Sequence, residues 1–165
     1  ATKSGYEQNY SRFGQFIAEA ILNPQADLDK DGQTSLLEAF LIASRRTAEF
    51  YTTEGRLATE HALIDDNADG LGTPADWFRG VRAVKTAANS AGVDGLRANQ
   101  IHLVRSEQER KLSPALRARR DELEVVIAKL RETKSKATDE EYYRQLEPLL
   151  LELARLYGPS ESGFE

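Results

Sequence analysis

Phe13, Phe16, Ile17, Ala20 and Ile21 recur at steps of three and four residues, the period of a helix with one apolar face. Asn23-Pro24 should end that helix, because proline disfavours helical backbone in the residue before it. Leu37, Phe40 and Leu41 open a second helix, expected to run to about Phe50, and Thr52-Thr53-Glu54-Gly55 reads as a linker. Leu57 to Ile64 reads as a third helix, and Trp77, Val81, Val84 and Ala88 mark one face of a fourth. Turn-rich Asn89 to Gly95 is a connector, and Gln100-Ile101-His102-Leu103-Val104 reads as one short strand. Ser113-Pro114 starts a further helix with Leu116, Leu123, Ile127 and Leu130 along one side. Thr138-x-x-Glu141 is a capping box for the last one, whose apolar face is read as Tyr143, Leu146, Leu150, Leu153 and Tyr157. With Lys134-Ser135-Lys136 between them, these two form an antiparallel helical hairpin. Pro148 should kink its second arm, and Gly158-Pro159-Ser160 begins a loose tail.

The polar residues between the first helices are not generic linkers. Asp27 to Glu38 reads D-L-D-K-D-G-Q-T-S-L-L-E. Asp27, Asp29 and Asp31 stand at positions 1, 3 and 5 of this twelve-residue loop, and Gly32 at position 6 permits a sharp turn. Gln33 offers its backbone carbonyl at position 7, Ser35 a hydroxyl at position 9, and Glu38 a long carboxylate at position 12. A hard cation such as Ca²⁺ takes six to eight oxygens, and a chain curling round the ion supplies them in this order. Asp65 to Asp76 repeats the pattern as D-D-N-A-D-G-L-G-T-P-A-D, with Asp65, Asn67, Asp69, the Leu71 carbonyl, Thr73 and Asp76 as its ligands. Asp76 is one methylene shorter than Glu and Asn67 carries no charge, so the second site should be weaker for Ca²⁺ and more tolerant of Mg²⁺. Asp66 has no ligand position and is expected to face solvent. The same residues also serve as turn formers and helix caps, but caps alone do not call for acids at alternate positions before a glycine.

The loops start 38 residues apart, which leaves room for an exiting helix, a linker and an entering helix. Over roughly residues 13–90 the chain resembles the EF-hand calcium-binding family, of the paired, calmodulin-like kind. The resemblance implies a mainly all-α fold: paired helix–loop–helix units over residues 1–90, a connector over 91–105, a helical hairpin over 106–157 and a flexible tail over 158–165. Paired EF-hand loops exchange strand hydrogen bonds at position 8. Thr34 and Gly72 stand there, so that pairing is expected to be weak. The opening A-T-K-S-G-Y-E-Q-N-Y-S-R-F-G also resembles the closing edge of bacterial caspase- or legumain-like domains. This implies a fragment of a larger bacterial protein, an expectation that the absence of Met from the whole chain supports.

Charge and composition narrow the functions. The net charge of −5 divides into −4 over residues 1–104, +4 over 105–136 and −5 over 137–165. The basic stretch is expected to pair with the acidic one after it. Asp121, Glu122 and Glu124 interrupt Arg117, Arg119 and Arg120 as a phosphate-facing stripe, so no nucleic-acid partner is expected. No apolar run approaches 18 residues, so no membrane span is expected. With no cysteine there is no thiolate chemistry, and His61 and His102 lack a nucleophile to serve, so the chain is not expected to be an enzyme. Met-rich grooves mark calcium sensors, and there is no Met here. The function expected is therefore mainly structural Ca²⁺ binding; the sequence does not fix the compartment, an extracytoplasmic (periplasmic or secreted) one being only weakly favoured. The alternatives are an interaction or oligomerisation module built on the Leu-rich hairpin, docking a protein partner or a parent-chain domain, or a Ca²⁺-responsive regulatory domain of a caspase/legumain-like peptidase.

Overall fold

A computed structural model of the chain describes residues 11–85 and 92–157. It is mainly helical with small antiparallel strand pairs, and it divides into two compact units at Glu107/Gln108.

In the first unit α1 (Arg12–Ile21) ends before a single 3-10 turn at Pro24–Ala26, as Asn23-Pro24 dictates. After the first loop come β1 (Thr34–Ser35) and α2 (Leu36–Thr53). α2 is the centre of the unit. Its first two turns bury Leu37, Glu38, Ala39, Phe40, Ile42 and Ala43, so apolar contacts surround it. On one side Ala39 and Ile42 pack with Ala20 and Ala26, joined by Ile17 and Leu28. On another, Leu37 and Phe40 pack with Ile64 and Ala98, joined by Phe13 and Phe78.

The flanks of the second loop depart from the expected helices. Residues 56–62 form no helix, and Leu57, where the expected one would begin, is 91% exposed. The segment instead runs into β2 (Leu63–Ile64), which pairs with β3 (Thr73–Pro74) at the far end of the same loop. A 3-10 turn at Ala75–Trp77 follows, and then a tight hairpin of β4 (Phe78–Arg79) and β5 (Arg82–Ala83) where a fourth helix was expected. Trp77, Val81 and Val84 fit a helical period, but Gly80, at φ 57°, supplies the left-handed position of a two-residue hairpin turn. Ala88 lies outside the described residues.

The connector is also part of this unit. α3 (Leu96–Gln100) places Ala98 in the core, and β6 (His102–Val104) lies antiparallel to β1, with Thr34 opposite Val104 and Ser35 opposite His102. The expected strand thus exists, but it takes the place on β1 that the second loop was expected to fill. Gly95 at φ 105° allows the approach: a Cβ there would lie 2.6 Å from Phe78 Cε1.

In the second unit, after α4 (Glu107–Lys111), α5 (Pro114–Glu132) and α6 (Asp139–Tyr157) form the expected hairpin. α6 continues through Pro148. Its buried stripe is Tyr142 and Leu146, with Leu149 and Leu153 packed alongside against Ile127 and Leu130. Tyr143, Leu150 and Tyr157 are exposed, and so is Leu116 on α5. The sequence carries two overlapping apolar stripes that share Leu146 and Leu153, and periodicity alone does not choose between them. The basic-to-acidic pairing is present: Arg119 on α5 holds Glu152 on α6 at 2.7 Å. Buried Arg120 bonds Glu109 at 2.5 Å and Asp121 at 2.8 Å. Burial disfavours its charge, but those carboxylates outweigh that effect and raise its pKa above the ordinary arginine value. No helix among the described residues is long and apolar enough to cross a membrane.

One carboxylate fixes the start of α1. Ser11 at the N-cap makes no side-chain cap; Glu60 reaches it across 48 residues, accepting from Arg12 N–H at 2.8 Å and Phe13 N–H at 2.9 Å. The Ser11 and Tyr51 hydroxyls donate to the same group. Burial raises the pKa of Glu60, but these four donors outweigh it and hold the pKa below the usual glutamate value. A lowered folded-state pKa means stability that is present above the unfolded pKa and lost as pH falls through the folded one. Glu60→Gln should therefore cost about 1–2 kcal/mol at neutral pH, with the difference from wild type shrinking as pH falls below the carboxylate range. Urea unfolding at several pH values measures it.

Candidate metal centre

The two acidic loops are wound in the same way. Position 4 is left-handed in both, at φ 64° for Lys30 and 63° for Ala68, and position 6 is left-handed at 79° for Gly32 and 78° for Gly70. These turns direct backbone N–H groups inward, where the acids receive them. The position-1 carboxylate accepts from the position-6 amide, Asp27 from Gly32 at 3.1 Å and Asp65 from Gly70 at 3.0 Å. Position 3 accepts from position 5, Asp29 from Asp31 N–H at 3.3 Å and Asn67 from Asp69 N–H at 2.9 Å. Position 5 accepts from position 7 at 2.8 Å in both, Asp31 from Gln33 and Asp69 from Leu71. A non-glycine residue in left-handed backbone is uncommon, and finding one at the same place in both loops marks a shared frame.

Glu38 closes loop 1. It stands in the first turn of α2 as the third residue of a capping box: Ser35 Oγ accepts from Glu38 N–H, and Glu38 Oε2 accepts from Ser35 N–H at 2.8 Å. The same Oε2 accepts the Ser35 hydroxyl at 2.9 Å. Oε1 turns back to the loop entrance and accepts Leu28 N–H at 2.7 Å. One buried carboxylate thus ties the beginning of the loop to its end. Ligand oxygens of Asp27, Asp29 and Glu38 all lie within 4.8 Å of one another, a group no other three acidic or histidine side chains match among the described residues. Partial burial raises the pKa of Asp29, and the charges of Asp31, Glu38 and Asp27 raise it further. Like charges held this close repel, and a cation among them would relieve the repulsion. Asp31 lies outside the triad and holds the Gln33 amide at 2.8 Å.

Loop 2 closes differently. Asp76 is exposed on its 3-10 turn and lines a cavity of about 660 Å³ whose wall also includes Phe13, Leu41, Phe78, Glu60 and His61. The Thr73 hydroxyl is buried and donates to Asp94, a residue of the turn-rich connector, at 2.6 Å. Asp94 also accepts Asp66 N–H at 3.3 Å. Burial raises the pKa of Asp94 against the lowering pull of these two donors. Asp66 does not simply face solvent: its half-buried carboxylate accepts Ala98 N–H at 2.8 Å and so caps α3. The helix so capped carries Asn99, whose side-chain oxygen lies 3.1 Å from Ser35 Oγ, so α3 touches both loops. His61 is exposed on the cavity wall, and His102 sits in β6 opposite Ser35. The roles of Asp94 and Glu60 were not legible locally, because each acts on a partner 21 or more residues away.

In comparisons with protein-family models, with curated proteins and with solved structures, no match to the chain was found.

Proposed function

We propose that this chain is a calcium-binding module of EF-hand type in which the ion is a structural part of the first unit. The observation that carries this reading is the convergence of Asp27, Asp29 and Glu38 at the mouth of a loop already wound round its own amides. Asp31, the Gln33 carbonyl and Ser35 complete the oxygen set at loop 1. Asp65, Asn67, Asp69 and the Leu71 carbonyl, with Thr73 near by, form the frame of a second, weaker site. A structural ion fits better than a switching one, because Glu38 belongs to the buried first turn of α2 and β1 is already paired with β6. Filling loop 1 would therefore tighten an existing arrangement. The ion itself supplies charge neutralisation, and the chain supplies oxygens at fixed places.

Calorimetric titration of the full chain with Ca²⁺ should give a tighter and a weaker phase. Glu38→Gln should weaken the tighter phase by about tenfold or more, since it removes the longest-reaching charged ligand. An unchanged titration would contradict the assignment. Melting in millimolar Ca²⁺ should lie well above melting in EDTA, because an ion at about 100 times its Kd adds roughly 2.7 kcal/mol. Coincident melting curves would remove the structural role.

A second reading concerns the hairpin. α6 exposes Tyr143, Leu150 and Leu151 around a recess of about 420 Å³ that also includes Leu146, which suits an apolar protein surface. Sedimentation of the full chain tests it: association unaffected by EDTA and abolished by Leu150→Glu with Leu151→Glu supports it, and a monomer at all concentrations removes self-association.

A further inference from the structure

In loop 1, Glu38 spans two places with its two oxygens: the N–H of position 2 (Leu28) and the hydroxyl of position 9 (Ser35). In loop 2 the carboxylate that spans the same two places is Asp94. Its Oδ1 accepts the N–H of position 2 (Asp66) and its Oδ2 the hydroxyl of position 9 (Thr73). Asp76, which holds position 12 by sequence count, is exposed and makes neither contact.

Asp94 is only 2% exposed. Among the described residues its partners are the Thr73 hydroxyl, the Asp66 amide and the neighbouring Asp66 carboxyl, and no basic side chain pairs with it. A buried carboxylate with a second carboxyl beside it and no basic partner leaves its charge uncompensated, and a cation is one of the things that can balance it. The backbone on either side is positioned for this task. Gly92 N–H donates to Asp69 of the loop at 2.9 Å, and Gly95 is packed against Phe78.

We infer that Asp94 is the closing carboxylate of a hard divalent cation site at loop 2, standing in for Asp76, which is left free of the ion. The inference rests on the calcium-binding reading above and changes which residue completes its second site. The equivalent of the Asp27, Asp29 and Glu38 set is then Asp65, Asn67 and Asp94. The closing ligand follows the loop's first acid by 29 residues, where in loop 1 it follows by 11. Loop 2 is thus completed by the chain that returns after the β4–β5 hairpin, and no exiting helix is needed to present its last ligand. One carboxylate fewer than loop 1 places this site on the weaker side.

The test is calorimetric titration of the full chain with Ca²⁺, comparing wild type, Asp94→Asn and Asp76→Asn. Asp94→Asn should weaken the second phase by about tenfold or more and leave the first phase in place, which also reports that the unit has folded. Asp76→Asn should change either phase by less than about twofold. In the wild type, the side-chain carboxyl ¹³C resonance of Asp94 should move with the second equivalent of Ca²⁺ while that of Asp76 stays still. This readout needs no variant to fold. A second phase lost in Asp76→Asn but kept in Asp94→Asn, or an Asp94 resonance that ignores Ca²⁺, overturns this inference and leaves the calcium reading standing. A wild-type chain that takes up no Ca²⁺ overturns both.

Discussion

The buried carboxylate of Glu38 is the constraint on which the first unit turns. It caps α2, grips the entrance of loop 1 through Leu28, and holds the Ser35 hydroxyl next to α3. Leu37 and Ala39 on either side of it are fully buried, so the carboxylate cannot leave without disturbing the core that Ala20, Ala26, Phe40 and Ile42 build around α2. Burying a charge is unfavourable unless its bonds are made. Here both oxygens are satisfied by loop amides and a hydroxyl, and loop conformation and helix packing become one cooperative element.

Carboxylates recur as the long-range fasteners of this small unit. Glu60 secures α1, Asp66 caps α3 and Asp94 secures loop 2. Each directs negative charge at backbone N–H groups, two of them at helix N-termini where the unpaired donors lie. Much of the acidity of residues 1–104 is accounted for in this way and in the two loops.

Loop 1 was legible in the sequence as a wound acidic loop because its acids stand at alternate positions and its glycine has a fixed place. The same holds for α1, α2 and the hairpin of α5 and α6, whose apolar periods run for ten residues or more. Loop 2 was legible as a loop, by Asp65, Asn67, Asp69 and Gly70, but its surroundings were not. Leu57 to Ile64 and Trp77 to Val84 have periods too short to separate a helix from extended chain, and the outcome is settled by what each can bury against. The face of α6 was misplaced by one residue at Tyr143 because Tyr142 and Tyr143 are adjacent and both fit a stripe through Leu146. Asp94 carried no local signal; its contacts depend on β2 pairing with β3 and on α3 packing into the core through Ala98, neither of which a short window contains.

Residue-resolved hydrogen exchange of the full chain, with Ca²⁺ and with EDTA, tests most directly whether the ion and the core of α2 are one unit. Leu28, Gly32 and Ser35, whose amides donate to Glu38 and Asp27, should gain protection in Ca²⁺ together with the buried amides of α2, by a common factor. Protection rising in the loop amides alone, with α2 unchanged, would contradict the account and reduce the ion to a passenger on a core that stands without it.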